Sequence, residues 1–159
     1  MVFDGMPLEE QKILESIMKS EPDLIIDKLY LGNLSHSKKH DVLKRLGVSV
    51  VLQISSEPTE FPFPESFEYH PFEFGDCPSA DLARHVKKGI DTLKKAHSEG
   101  KTCFIHCAAG VSRSASIVIA YLMLLKDYDF NQALKFVQER RACVDPNEGF
   151  REYLAKLTF

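Results

Sequence analysis

Apolar residues recur along this chain at helical and strand spacings, which predict most of its secondary structure. Residues 8–19 carry their apolar side chains on one helical stripe, and Pro22 ends that segment. The pattern over 23–33 predicts two short strands joined by a tight turn, and the pattern over 36–46 predicts one helix. The β-branched run 48–54 predicts a buried strand.

Residues 55–78 differ from the rest of the chain because prolines and aromatic residues crowd together there. The prolines exclude a central strand or helix over 58–64, whereas 67–74 can form a strand that is edged at Pro71. The aromatic side chains either fill the core beneath a loop, which burial statistics favour, or form a wall beside a binding cleft. They are Phe61, Phe63, Phe67, Tyr69, Phe72 and Phe74.

The second half of the chain predicts one more strand between helices. Residues 79–98 form an amphipathic helical pattern that ends at a glycine, and 101–105 form a short apolar strand. A loop of small residues then leads into a helix that is apolar on nearly every face through 117–125. Capping signals predict a helix from Asp129 to about 141 and a last helix to 157, with Asp145 as the N-cap of the last one.

This order of elements predicts an α/β fold, in which one domain has a small central mixed sheet flanked by helices. The length of 159 residues accommodates one such domain. We expect residues 1–22 to form an N-terminal helical extension and residues 23–159 to form the domain itself.

Charge and composition narrow the possible partners. The chain carries 20 basic and 23 acidic side chains, a formal net charge of −3, so we expect no nucleic-acid binding. Its longest apolar run, 117–125, is too short to span a membrane. The four cysteines contain no C-x-x-C pair and predict reduced thiols, which favours a cytoplasmic location and also permits a nuclear one.

The candidate chemistry lies in residues 105–116, where a predicted strand runs through a loop of small residues into the apolar helix. The side chains of this loop are small and leave its backbone accessible. Its N–H groups can therefore point into one concavity at a helix N-terminus and hold a phosphate. Cys107 begins the loop and would place its sulfur at the floor of the concavity, in surroundings that favour a thiolate. We name residues 107–113 the phosphate loop. The predicted phosphate-binding residues are Ala108, Ala109, Gly110, Val111, Ser112 and Arg113.

Side chains next to Cys107 complete a nucleophilic site. Arg113, at the predicted helix start, presents a planar fork that can bind two phosphate oxygens. The Ser114 hydroxyl can donate to the Cys107 sulfur and help it leave in a hydrolytic step, and Ser112 is expected to shape the loop. His106 is expected to support the loop through hydrogen bonds to the backbone and not to act as a general base.

Breaking a phosphate ester also requires a general acid for the leaving oxygen. Asp76, between Gly75 and a proline-containing turn, and Asp81, in the first turn of the 79–98 helix, are both candidates. A carboxylate in a first helical turn is commonly there for the helix dipole, so position favours Asp76 modestly.

The segment HCAAGVSRS (106–114) matches a His-Cys-x-x-Gly-x-x-Arg-Ser/Thr signature, and the chain resembles the small dual-specificity phosphatases of the cysteine-dependent protein tyrosine phosphatase superfamily. The resemblance extends over about residues 24–157. Besides the signature it includes LYLGN (29–33), IAYLM (119–123) and DPNEGFREYL (145–154). The chain departs from the family at Gln53 and Tyr153, where asparagine and glutamine are frequent.

The resemblance implies a protein phosphatase that hydrolyses phosphotyrosine and phosphoserine or phosphothreonine through a phosphocysteine at Cys107. It implies a phosphorylated protein as the partner and neither a metal nor a cofactor. The family places its general acid at the separation that Asp76 has from Cys107, which selects Asp76 over Asp81. Two alternatives stay open: a phosphate-binding interaction module with weak catalysis, similar to a pseudophosphatase, and a phosphatase for a non-protein phosphomonoester.

Two further expectations concern the remaining cysteines and basic residues. Cys77 or Cys103 could trap an oxidised Cys107 as a disulfide, although burial in a core strand is favoured for Cys103. The basic pairs along the chain, among them Lys38-Lys39 and Arg140-Arg141, are expected to face solvent, although one of them could dock an acidic partner.

Overall fold

A computed structural model describes residues 3–159 and contains one mixed sheet with helices on both faces. The strands are β1 (Asp23–Ile26), β2 (Leu29–Gly32), β3 (Val48–Ser55), β4 (Glu68–Glu73) and β5 (Thr102–His106). The helices are α1 (Leu8–Lys19), α2 (Leu34–Ser37), α3 (His40–Arg45), α4 (Leu82–Ser98), α5 (Arg113–Lys126), α6 (Phe130–Arg140) and α7 (Glu148–Lys156).

The sheet has the strand order β1-β2-β5-β3-β4. The β1 and β2 pair is antiparallel, as the predicted tight turn requires, and all other neighbours are parallel. Because β2, β5 and β3 run in parallel, their carboxyl ends meet at one edge of the sheet. The predicted α/β fold with a small mixed sheet is therefore confirmed.

A large apolar core lies between one face of the sheet and α4 to α7, and a smaller one lies on the other face under α3. Helix α5 runs through the larger core, and every residue from Arg113 to Met123 is buried. This confirms the prediction of a helix that is apolar on nearly every face, and it fixes the segment that follows the phosphate loop.

The single helix predicted over 36–46 is wrong, because the segment forms two short helices, α2 and α3. Asn33 and His36 make a reciprocal capping box that starts α2 early. The Ser37 hydroxyl then donates to the carbonyl of Leu34 at 2.6 Å. Such bonds between side chains and backbone compete with helix continuation, and the helix ends at Ser37.

Two helix starts also differ from the prediction. Helix α4 begins at Leu82 instead of residue 79, because the residues before it form a turn in which Ala80 N donates to Cys77 O. The N-cap of α7 is Asn147, whose side chain accepts from Phe150 N at 2.9 Å, and not Asp145. The predicted N-cap of α6 is confirmed, since Asp129 makes a capping box there.

The aromatic side chains of residues 55–78 fill the core, as burial statistics favoured. Phe67, Phe72 and Phe74 are buried, and the other three are half-buried. The stretch 67–74 forms edge strand β4, which contains Pro71. None of the six aromatic side chains lines the cleft described below.

The predicted N-terminal helix is confirmed as α1, and none of its residues is buried against the rest of residues 3–159. The Lys39 ammonium group holds its C-terminal end, donating to the carbonyls of Ile17 at 3.0 Å and Met18 at 3.2 Å. Residues 1–2 of the predicted extension lie outside the described residues, and the division at residue 22 stays a prediction. None of the helices over residues 3–159 combines the length and apolar character needed to cross a bilayer.

Candidate functional site

Cys107 lies at the carboxyl end of β5, where the chain leaves the sheet, and is 3% exposed. Two groups contact its sulfur. The backbone N–H of Gly110 donates to Sγ at 3.3 Å, and the Ser114 hydroxyl lies 3.1 Å from Sγ. The structure therefore brings Cys107 and Ser114 together as the sequence predicted.

The phosphate loop turns its carbonyl groups away from Cys107. Because C=O and the following N–H of a trans peptide point in opposite directions, this turns the N–H groups of residues 109–112 toward the concavity above the sulfur. The four outward bonds are Leu34 N to Ala108 O (3.0 Å), Arg141 Nη2 to Ala109 O (3.0 Å), Arg141 Nε to Gly110 O (2.9 Å) and Asp145 N to Val111 O (2.9 Å).

Arg141 is the largest contributor to this arrangement, and the expectation that it faces solvent is wrong. Its side chain is 9% exposed, and its Nη1 also binds the Asp23 carboxylate at 2.9 Å. One guanidinium thus joins strand β1 to two carbonyls of the phosphate loop. The neighbouring Arg140 behaves as predicted, since it is exposed and stacks on the Phe136 ring. The sequence around these two adjacent arginines contains no local signal that predicts which side chain is buried.

Gly110 is the position in the loop that accepts only glycine. Its φ of +67° is a conformation that residues with a side chain rarely adopt. A Cβ there would overlap the carbonyl oxygen of Gly32 and lie 2.7 Å from Arg141 Nη2. The predicted small-residue loop is therefore required for close packing against β2 as well as for an open concavity.

Arg113, the first residue of α5, is held at the mouth of the concavity by two acceptors. Its Nη1 donates to Ser56 Oγ at 3.1 Å and to Phe74 O at 3.3 Å. Its Nε is buried and has no hydrogen-bond partner among residues 3–159. A buried, cationic donor without an acceptor is suited to an anionic ligand. Ser56 and Phe74 reach Arg113 from distant parts of the chain, and the sequence did not predict them.

Asp76 is connected to the rim of the phosphate loop through Asn147. The Asn147 side chain donates to Asp76 Oδ1 at 2.9 Å, and its backbone N–H donates to Ser112 Oγ at 2.9 Å. Asp81 precedes α4 and makes no capping bond; together with burial, its charge raises the pKa of Tyr153. Asn147 thus ties Asp76 to the loop through the Ser112 hydroxyl, and the loop-shaping role of Ser112 stays a prediction.

His106 is buried behind the phosphate loop. Burial lowers its pKa to about 4, so the imidazole is neutral at physiological pH. Its Nδ1 lies 3.4 Å from the carbonyl oxygen of Cys107, and its ring stacks on Phe104. These contacts agree with a supporting role. Its Nε2 has no partner within the described part of the chain.

The other cysteines lie in different environments. Cys103 is buried in β5, and burial raises the pKa of its thiol to about 12. Cys77 and Cys143 are exposed. Cys103 is therefore a core residue, as favoured, and a disulfide with Cys107 stays a hypothesis.

A cavity of about 350 Å³ opens beside Cys107 and Arg113, and we name it the side cleft. One wall is the loop that follows β3, and the other is α2. Gln53 lies on its floor, where it is 4% exposed and donates from Nε2 to Thr59 Oγ1 at 2.8 Å and to Glu60 O at 3.3 Å. The lining residues outside the phosphate loop include Leu34, Lys38, Gln53, Thr59, Glu60 and Pro62.

Comparisons with known proteins agree with this geometry. Residues 29–158 match the family described as "Dual specificity phosphatase, catalytic domain". The chain is 36% identical over 137 residues to mouse dual specificity protein phosphatase 22, covering 86% of this chain and 73% of that protein. It is 35% identical over 133 residues to Drosophila melanogaster protein phosphatase Slingshot, but this covers only 13% of that longer protein.

Solved structures show the same fold. The crystal structure of DUSP15 superposes with a TM-score of 0.81 at 29% identity, covering 86% of each chain. The crystal structure of the human tyrosine phosphatase-like serine/threonine/tyrosine-interacting protein superposes with a TM-score of 0.79 at 30% identity, covering 84% of this chain and 93% of that one.

Proposed function

This chain belongs to the dual specificity phosphatase family, and we propose that it hydrolyses phosphotyrosine and phosphoserine or phosphothreonine in proteins through a phosphocysteine at Cys107. One observation carries the proposal. The Cys107 sulfur lies under a loop whose successive carbonyl groups all bond outward, so its N–H groups surround the position where a phosphate would meet the nucleophile.

Binding begins with the phosphate in this concavity. The N–H groups of residues 109–112 donate hydrogen bonds to its oxygens, and Arg113 contributes the cationic fork and the unpartnered Nε. These donors are fixed before the substrate arrives, so they stabilise the additional charge of the transition state without rearranging.

The first chemical step transfers the phosphoryl group to the enzyme. The Cys107 thiolate attacks phosphorus, an S–P bond forms, and the P–O bond to the substrate breaks. Asp76 gives its proton to the leaving oxygen. Asn147 supports this role, because its amide orients the Asp76 carboxyl group beside the loop.

The second step releases phosphate. A water molecule attacks phosphorus, Asp76 takes one of its protons, and the S–P bond breaks. The electron pair of that bond returns to Cys107 Sγ. The hydroxyl of Ser114, 3.1 Å from the sulfur, donates a hydrogen bond that stabilises the departing thiolate.

We also propose a cytoplasmic location, with the nucleus as a second compartment. The proposal rests on the nucleophile, because a thiolate that must stay reduced suits compartments where thiols are kept reduced. Imaging of the full-length protein tests it, and localisation only to an oxidising compartment contradicts it.

The mechanism is tested with Cys107→Ser and a matched control, Cys143→Ser, which changes an exposed cysteine. Hydrolysis of p-nitrophenyl phosphate and of a phosphotyrosine peptide should be abolished in Cys107→Ser and unchanged in Cys143→Ser. The Cys107→Ser protein should still bind the phosphopeptide, because the loop and Arg113 remain. Normal turnover by Cys107→Ser refutes the mechanism.

The acid is tested with Asp76→Ala on two kinds of leaving group. General acid catalysis is worth about 10²–10⁴-fold, and it matters most when the leaving oxygen is strongly basic. The variant should therefore lose much more activity on a phosphoserine peptide than on p-nitrophenyl phosphate. An equal loss on both substrates returns the role to Asp81 or another carboxylate.

A further inference from the structure

The side cleft shares its floor with the proposed phosphate site. Cys107, Ala108 and Arg113 line both. A phosphorylated residue whose phosphate contacts Cys107 therefore places its neighbours in the substrate chain at the walls of this cleft.

The cleft walls carry opposite charges. Lys38, just after α2, is exposed, and no described residue bonds to its ammonium group. Leu34, on the same wall, is 45% exposed and offers an apolar contact. Glu60 lines the opposite wall. An anionic group entering the cleft is attracted toward one wall and repelled from the other.

The opposite wall is held in place by one side chain. Gln53 extends from β3 and bonds to Thr59 and Glu60, as described above, so a buried amide anchors this part of the loop. Anchoring lowers the entropy cost of binding, because the wall does not have to become ordered when the substrate arrives. The backbone that carries Glu60 is therefore held in place on this wall.

We propose that the side cleft selects phosphorylated proteins that carry an acidic residue close to the phosphorylated one, on the side that contacts Lys38. The inference rests on the proposed function, since it names the substrate class of that same site. The whole chain has a net charge of −3, so the selectivity comes from the position of Lys38 and not from the overall field.

The test uses pairs of phosphotyrosine peptides that differ only in carrying glutamate or glutamine at one position. The positions varied, one at a time, are the two residues before and the two residues after the phosphotyrosine. The measured quantity is the ratio of kcat/KM for the glutamate peptide to that for the glutamine peptide. For the wild-type protein we expect a ratio of about 2 to 5 on one side only, the range for a single exposed ion pair. The ratio should fall toward 1 at about 0.5 M salt.

Lys38→Glu should bring the ratio below 1 at the same position. The matched control is Lys135→Glu, which makes the same change of net charge at an exposed position of α6 and should keep the wild-type ratios. Equal ratios for wild type and Lys38→Glu at every position overturn the inference while leaving the proposed function intact. A wild-type protein that hydrolyses neither the peptides nor p-nitrophenyl phosphate overturns the proposed function, and this inference with it.

Discussion

Replacement of Arg141 by lysine tests whether the outward bonds of the phosphate loop determine its function. The guanidinium makes three charged hydrogen bonds, to Ala109 O, Gly110 O and the Asp23 carboxylate. A lysine ammonium lacks the planar fork and can keep about one of them. Each such bond contributes roughly 1.5–3 kcal/mol after competition with water in the unfolded chain is taken into account. A water molecule in the freed space can replace part of the two lost bonds, so the expected loss is about 2–4 kcal/mol.

The loss should appear in both stability and activity. The midpoint of thermal unfolding should fall by roughly 5–15 °C for a chain of this size. If about half of the lost energy comes from the oriented loop N–H groups, kcat/KM for p-nitrophenyl phosphate should fall by roughly 5- to 30-fold. Phosphopeptide binding measured on the Cys107→Ser background should weaken in parallel, because the same N–H groups bind the ground-state phosphate.

Arg140→Lys is the matched control. Arg140 is exposed and stacks on Phe136, so its replacement should change the free energy of unfolding by less than about 0.5 kcal/mol. If Arg141→Lys keeps kcat/KM within twofold of the Arg140→Lys protein, the outward bonds neither orient the loop nor maintain the concavity.

Three other predictions follow from contacts around the site. Asn147→Ala removes the amide that holds Asp76, so turnover of a phosphoserine peptide should fall several-fold more than turnover of p-nitrophenyl phosphate; equal losses contradict this positioning role. Because burial lowers the pKa of His106 to about 4, below the value of about 6.5 in an unfolded chain, the unfolded state binds more protons between these values and stability falls with decreasing pH. Urea unfolding at pH 7 and pH 4.5 should show a loss of about 2–3 kcal/mol from this histidine, and His106→Asn should show a shallower pH dependence. Mass spectrometry after brief iodoacetamide treatment should find Cys143 alkylated and Cys103 unmodified, since burial raises the pKa of Cys103 to about 12; early labelling of Cys103 contradicts its burial.

The phosphate loop could be predicted from the sequence because its parts are neighbours in the chain. Cys107, Gly110, Arg113 and Ser114 lie within one strand-to-helix connection, and local spacing determines how they meet. The strand and the buried helix on either side follow from apolar periodicity alone. For this segment, local pattern and tertiary structure agree.

The partners that hold the loop could not be predicted, since they come from far along the chain. Arg141 and Asp23 meet only after β1 and α6 are folded together, and Ser56 reaches Arg113 only through the sheet. In the sequence, Gln53 differs from the family's frequent asparagine, and nothing in its neighbourhood indicates a partner. Its hydrogen bonds to Thr59 depend on a loop whose path no pattern of apolar residues describes.

The predicted start of α7 is wrong because two residues give the same N-capping signal. Asp145 and Asn147 are both good N-caps, and the choice depends on which one reaches Phe150 N. Asp145 is instead used by tertiary contacts, with its N–H on Val111 O and its carboxylate on Arg151. Propensity could not decide between them, because the Asp145 carboxylate pairs with Arg151 and its N–H is fixed by the distant Val111 O.

Pro71 in the outer strand β4 has a consequence for how copies of this protein meet one another. Strands at the border of a sheet can recruit a strand from another molecule through unpaired N–H and C=O groups. In β4, Pro71 lies in the middle of this edge and has no N–H to donate. Its carbonyl already accepts a bond from the Lys88 ammonium group. A strand from a second molecule therefore finds no continuous ladder to extend, which protects this border against edge-to-edge aggregation at high concentration.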